Sequence, residues 1–127
     1  MSYKTVIEAL EVWVKTQPDK KCWTFLDDHG AVSDVFTYKE LHCAIYGLAE
    51  HLLEHANIRV GDRVLLVFSP GLHFMVSLLA CFVAGFIAVP VFPPDPRKLK
   101  KDMHHFVSIQ SNSGAQIVLT HALCKLQ

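Results

Sequence analysis

The apolar runs of this chain predict an α/β fold: a mainly parallel sheet with flanking helices and an early β-hairpin. Three observations carry that prediction. Residues 64–68 and 87–92 are short runs that are apolar at every position, and such strands need cover on both faces, as in parallel sheets. Residues 72–84 between them have the length of a helix and provide the crossover that parallel neighbours require. From Thr37 onward the pattern runs helix, strand, helix, strand, helix, strand.

Taken in order, residues 5–16 form an amphipathic helix with Val6, Ile7, Leu10, Trp13 and Val14 on one face. Glu11 and Lys15 make an i,i+4 pair on the other. Gln17-Pro18 stops the helix, because a residue before proline avoids the α region. Residues 22–27 and 32–36 read as a hairpin around Asp28, His29 and Gly30. Thr37 and Glu40 form a capping box opening a helix whose buried stripe is Leu41, Ile45, Leu48 and Leu52. Residues 57–62 loop into the first parallel strand. Ser69-Pro70-Gly71 breaks that strand, and Gly85 caps the helix that follows. After Pro96 a helix with Leu99, Met103, Phe106 and Val107 inward is expected, ended by Ser111-Asn112-Ser113-Gly114. Residues 115–120 form a third buried strand. A further helix is expected to begin at the last residues, so residues 1–127 are expected to be the N-terminal segment of a larger α/β domain.

Composition narrows the function classes. Hydrophobic residues make up 51% of the chain, which calls for a packed core rather than disorder. Lys plus Arg and Asp plus Glu balance at 12 each, so no electrostatic argument favours a nucleic-acid partner. Cys22, Cys43, Cys81 and Cys124 are widely spaced, which suggests reduced thiols and a cytoplasmic setting. Residues 72–92 are long enough to span a bilayer, yet Pro70-Gly71 precedes them and Gly85 and Pro90 interrupt them; a membrane span is not expected.

His51-Leu52-Leu53-Glu54-His55 matches H-x-x-E-H, in which two histidines share a helix face and a glutamate could activate a metal-bound water. No acidic third ligand is evident after it, and a solvated histidine pair near a helix C-terminus is the simpler reading, so no metal site is expected. Arg97, Lys98, Lys100 and Lys101 could attract phosphate or an acidic partner, but a solvated helical turn explains them as well. No dinucleotide fingerprint, P-loop or nucleophile–base arrangement is present in the sequence.

Four stretches carry a resemblance. They are Phe36-Thr37-Tyr38-x-Glu40-Leu41, then Gly61-Asp62-Arg63-Val64-Leu65-Leu66, then Pro70-Gly71-Leu72-x-Phe74, and finally Gly85-x-Ile87-Ala88-Val89-Pro90-Val91-Phe92-Pro93-Pro94. From Val6 to Thr120 the chain resembles the start of an adenylate-forming enzyme of the AMP-binding superfamily, and specifically a fatty acyl-AMP ligase. Phe92-Pro93-Pro94 is the most telling piece, since acyl-CoA synthetases usually carry Asn-Pro there. Ser69, where proline is common, and His73, where an acid is common, depart from the pattern.

The resemblance implies that the parent protein binds ATP and Mg, activates a fatty acid to acyl-adenylate, and delivers it to an acyl carrier protein, often of a polyketide or peptide synthase. The family's phosphate loop, adenine-binding segment and catalytic lysine match nothing in residues 1–127. The expectation is therefore no catalytic, cofactor-binding or metal-binding residue here, and an inactive fragment. Ser69 and the Pro93–Asp95 loop lie nearest to where a substrate would pass, at the strand carboxyl ends. A non-catalytic scaffold module of the same fold, an acyl-CoA synthetase and a membrane-anchored protein stand as alternatives.

Overall fold

A computed structural model of the chain describes residues 5–55, 58–93, 97, 107–109, 111–112, 114–115 and 117–120. Their order is α1 (Val6–Thr16), β1 (Lys21–Leu26), β2 (Val32–Thr37), α2 (Tyr38–His55), β3 (Arg63–Val67), α3 (Leu72–Ala84), β4 (Ile87–Val91) and β5 (Ile117–Thr120). β1 and β2 form an antiparallel pair, and the other three strands form a parallel sheet in the order β4–β3–β5. The expected class is the observed one. α3 packs on β3 and β4, α2 packs on α3, and α1 on α2.

Local chemistry explains the element ends. Thr5 caps α1 by accepting from the Glu8 amide at 3.1 Å. The Thr37 hydroxyl accepts from the Glu40 amide, and the Glu40 carboxylate from the Thr37 amide, both at 3.2 Å; the capping box is formed, with α2 starting at Tyr38. In the hairpin the organising residue is Asp27, ahead of the three expected. Its carboxylate accepts from the His29 amide at 2.8 Å and the Ala31 amide at 2.9 Å, and Gly30 takes a φ of 81° to close the turn. Gly85 ends α3 at a φ of 81°. The Gly61 amide donates to the Gly85 carbonyl at 2.8 Å, and the Ile87 amide to the Asp62 carbonyl at 2.9 Å. Asp62 also accepts from the Arg59 amide at 2.8 Å, so Gly-Asp-Arg holds the approach to β3.

The core centres on β3. Val64, Leu66 and Phe68 face the helices and meet Leu10, Leu41, Ile45, Ala49, Leu52, Leu79 and Cys81. Leu65 and Val67 form a smaller cluster on the opposite face with Val89, Val91 and Ala115. Among the described residues only this central strand is covered on both faces. Among the described residues β4 is an edge strand, with Ile87 48% exposed and Phe92, just past its end, 81% exposed, against the expectation of full cover. Three further expectations need correction. Val6 is exposed rather than buried, because the inward face of α1 runs through Ala9 and Leu10. Glu11 turns toward α2 instead of outward. Val107 is exposed, although the helix it belongs to ends as expected within 111–114, with residues 111–112 helical and a turn at Gly114. Leu99, Met103 and Phe106 lie outside the described residues.

Candidate functional site

The parallel strands converge at their carboxyl ends, where ligands of open α/β sheets bind. After β3, Ser69 and Pro70 are exposed and lead into α3. After β4, Phe92 projects into solvent and Pro93 is half-buried. β5 ends at Thr120, whose hydroxyl donates to the Val67 carbonyl at 2.7 Å and ties the outer strand to the central one. These ends enclose two depressions with Phe68 as a shared wall.

The smaller, about 190 Å³, is lined by Phe68, Pro70, Phe74, Pro90, Val91 and Phe92, all hydrocarbon side chains. The larger, about 900 Å³, is bounded by Asp34 and Phe36 of β2, Ala44 and Leu48 of α2, Leu72, His73, Val76 and Ser77 of α3, and Leu119 and Thr120 of β5. Sequence reasoning places Ser69 at this end correctly. It misses that the hairpin comes round to the same end, because Asp34 and Phe36 are far from α3 in the chain. Pro94 and Asp95 of the expected loop lie outside the described residues. Gly71 is the N-cap of α3 and offers no side-chain cap, and the first turn of the helix holds no acid.

The other candidates do not join this end. His51 and Glu54 sit on the exposed side of α2, and the side chain of His55 lies outside the described residues. Among the described residues no three His, Cys, Asp or Glu side chains converge on a metal position. Arg97 is exposed; Lys98, Lys100 and Lys101 lie outside the described residues. Burial pushes the Cys81 thiol up to about 11 and raises that of Cys22, so neither is a thiolate nucleophile near neutral pH. Among the described residues no helix is long and apolar enough to cross a membrane.

A polar cluster that the sequence did not reveal joins α1 to α2. The Glu11 carboxylate accepts from the Tyr46 hydroxyl and lies 3.1 Å from Nε2 of His42. The hydrogen bond from Tyr46 holds the Glu11 carboxyl below its usual range, against the opposing effect of burial, with smaller help from His42 and Lys15. The same bond pushes Tyr46 up to about 12. The i,i+4 spacing of His42 and Tyr46 on α2 was the available signal. The cluster fastens two helices and lies on neither depression.

Comparison with known proteins fits this arrangement. A family model described as AMP-binding enzyme matches residues 10–127. The medium-chain-fatty-acid–[acyl-carrier-protein] ligase JamA of Moorena producens is 30% identical over 118 residues, covering 93% of this chain and 20% of that protein. Disco-interacting protein 2 homolog B-A of Danio rerio is 33% identical over 113 residues, 89% of this chain and 7% of that protein. A fatty acyl-adenylate ligase from L. pneumophila, solved in complex with acyl adenylate and pyrophosphate, superposes with a TM-score of 0.84 at 33% identity, over 95% of this chain and 20% of that one. The chain thus spans a fifth or less of the length of these relatives. The fold is that of the N-terminal part of adenylate-forming enzymes, and the chain belongs to the AMP-binding enzyme family.

Proposed function

We propose that residues 1–127 are the N-terminal segment of a fatty acyl-AMP ligase. The complete protein condenses a fatty acid with ATP, releases pyrophosphate and passes the acyl group to an acyl carrier protein. The observation that carries this reading is the 0.84 TM-score at 33% identity, over 95% of the chain, to a ligase solved with acyl adenylate. ATP and Mg belong to the complete enzyme. The residues here do not suit them: the sequence contains no phosphate loop, and the described residues bring no acidic cluster together. Adenylation needs positioned donors where charge develops on phosphate oxygens; the smaller depression offers none, and the larger has only the scattered side chains of His73, Ser77 and Thr120, the last already bonded to the Val67 carbonyl. No catalytic residue is therefore assigned within residues 1–127, and the segment alone is inactive. Its contribution is a rigid wall, with the strand ends and Phe92 turned toward the reacting part.

The test is fatty-acid-dependent pyrophosphate release by the full-length protein, with and without CoA and with residues 1–127 as control. Release without CoA, no acyl-CoA formed, and an inert fragment are expected. Rapid acyl-CoA formation would make the protein an acyl-CoA synthetase. A second reading, a non-catalytic module of the same fold, is favoured by the 33% identity to a Disco-interacting protein 2 homolog. Failure to adenylate any acid would select it.

A further inference from the structure

Three lysines gather where α2 begins. The Lys39 amide donates to the Pro18 carbonyl at 2.9 Å, and the Tyr38 amide to the Lys20 carbonyl at 3.1 Å. Lys21 stands opposite Thr37 in the hairpin register. These pairings make neighbours of Lys20, Lys21 and Lys39, and all three are exposed. Among the described residues none of them takes part in an ion pair. The carboxylates around them point elsewhere. Glu40 accepts from the Thr37 amide at 3.2 Å and is held against the start of the helix. Glu11 accepts from Tyr46 and lies 3.1 Å from His42. Asp19 is the exposed acid beside the lysines, so this end of the molecule presents more positive than negative charge. We propose that Lys20, Lys21 and Lys39 form a docking patch for an acidic face of the acyl carrier protein that accepts the acyl group.

Position and charge both favour this partner. The last turn of α2 leads toward the start of β3, while its Ala44 and Leu48 line the larger depression together with Phe68 and Thr120 at the strand ends. Lys39 precedes Ala44 on the same helix, so the patch lies on the side of the strand carboxyl ends, where the reacting part belongs. A carrier has to arrive and leave at every turnover. Complementary surface charges suit that, because they speed encounter by roughly 10- to 1,000-fold while contributing less to residence time. Lys plus Arg and Asp plus Glu balance at 12 each over the chain, so there is no overall field for a long polyanion such as nucleic acid. The inference rests on the reading of the complete protein as a ligase that passes its acyl group to a carrier protein.

The test follows two steps of the full-length protein separately: fatty-acid-dependent pyrophosphate release without carrier, and acyl transfer to each holo acyl carrier protein of the source organism. The triple variant Lys20→Glu, Lys21→Glu, Lys39→Glu should release pyrophosphate within about twofold of the wild type. Its KM for the carrier protein should rise about tenfold or more, with kcat for transfer within about twofold. Lys39→Glu alone should raise that KM about threefold, whereas Arg59→Glu, an equal change of charge just before β3, should move it less than about 1.5-fold. Should the triple variant fail to fold, salt decides: the wild-type KM should rise several-fold from about 50 to about 500 mM salt. A salt-independent KM, equal effects of Lys39→Glu and Arg59→Glu, or an unchanged KM in the triple variant would overturn the docking patch and leave the ligase reading standing. Absence of pyrophosphate release in the wild type would overturn the ligase reading and the patch with it. Binding to phosphatidylserine vesicles that the triple variant loses, with the carrier KM unchanged, would make a membrane the partner and overturn the proposal.

Discussion

The hairpin and the parallel sheet are held by different forces. In β1–β2 the strands are largely exposed, and the turn stands on bonds between near neighbours: Asp27 to two amides, and the Ser33 hydroxyl to the Phe25 carbonyl at 3.1 Å. In β4–β3–β5 four consecutive residues of the central strand, Val64 to Val67, are 0–1% exposed, and the pairing spans 53 residues between Val67 and Thr120. The hairpin depends on turn chemistry written within nine residues. The sheet depends on apolar burial that only the whole chain can assemble, at the entropic cost of closing long loops.

Core truncation should separate the two most sharply. Leu66 is fully buried, and Leu66→Ala should destabilise the protein by about 2–5 kcal/mol, seen as a lower denaturation midpoint with an unchanged slope. Asp27→Ala removes two local bonds at an exposed turn and should cost about 1 kcal/mol, with the loss of amide protection confined to residues near the turn in hydrogen exchange. A global loss from Asp27→Ala as large as that from Leu66→Ala would erase the distinction.

The smallest expected effect comes from the bond between α1 and α2. Glu11 is lowered in the fold, so its contribution is present above its ordinary value of 4.5 and disappears as pH falls through the lowered one. Tyr46 is raised, so its contribution is complete below its ordinary value of 10 and is lost as pH rises toward about 12. Trp13 on α1 lies 5.6 Å from Tyr38 between ring centroids, so its fluorescence reports the docking of α1. An alkaline transition worth under about 1 kcal/mol should appear between pH 10 and 12 and vanish in Tyr46→Phe.

The contrast also explains what could be read from residues alone. Periodicity located every helix and strand among the described residues to within two residues, because Leu41, Ile45 and Leu52 or the run from Val64 answer to one rule at a time. Gly85 and the Thr37–Glu40 box were legible because their partners are at most four residues away. Partners distant in sequence were not. Glu11 had an attractive neighbour in Lys15, yet the fold turned it to Tyr46, 35 residues on. The larger depression combines β2, α2, α3 and β5, and strand direction alone pointed only to the end of the sheet, through Ser69 and the loop after β4, not to the residues that line it.

The bonds from Gly61 to Gly85 and from Ile87 to Asp62 have a consequence for evolution. They fix the register of β3 against β4 at the amino end of the sheet. A side chain at Gly85 would need a strained φ and would bring its Cβ within 3.0 Å of Val60. That end has almost no freedom to change. The opposite end inherits a register already set, so its loops can accept substitutions without any strand slipping. Ser69 and His73, the two positions that depart from the pattern the chain otherwise follows, both lie at that tolerant end. Residues there can change while the scaffold stays as it was.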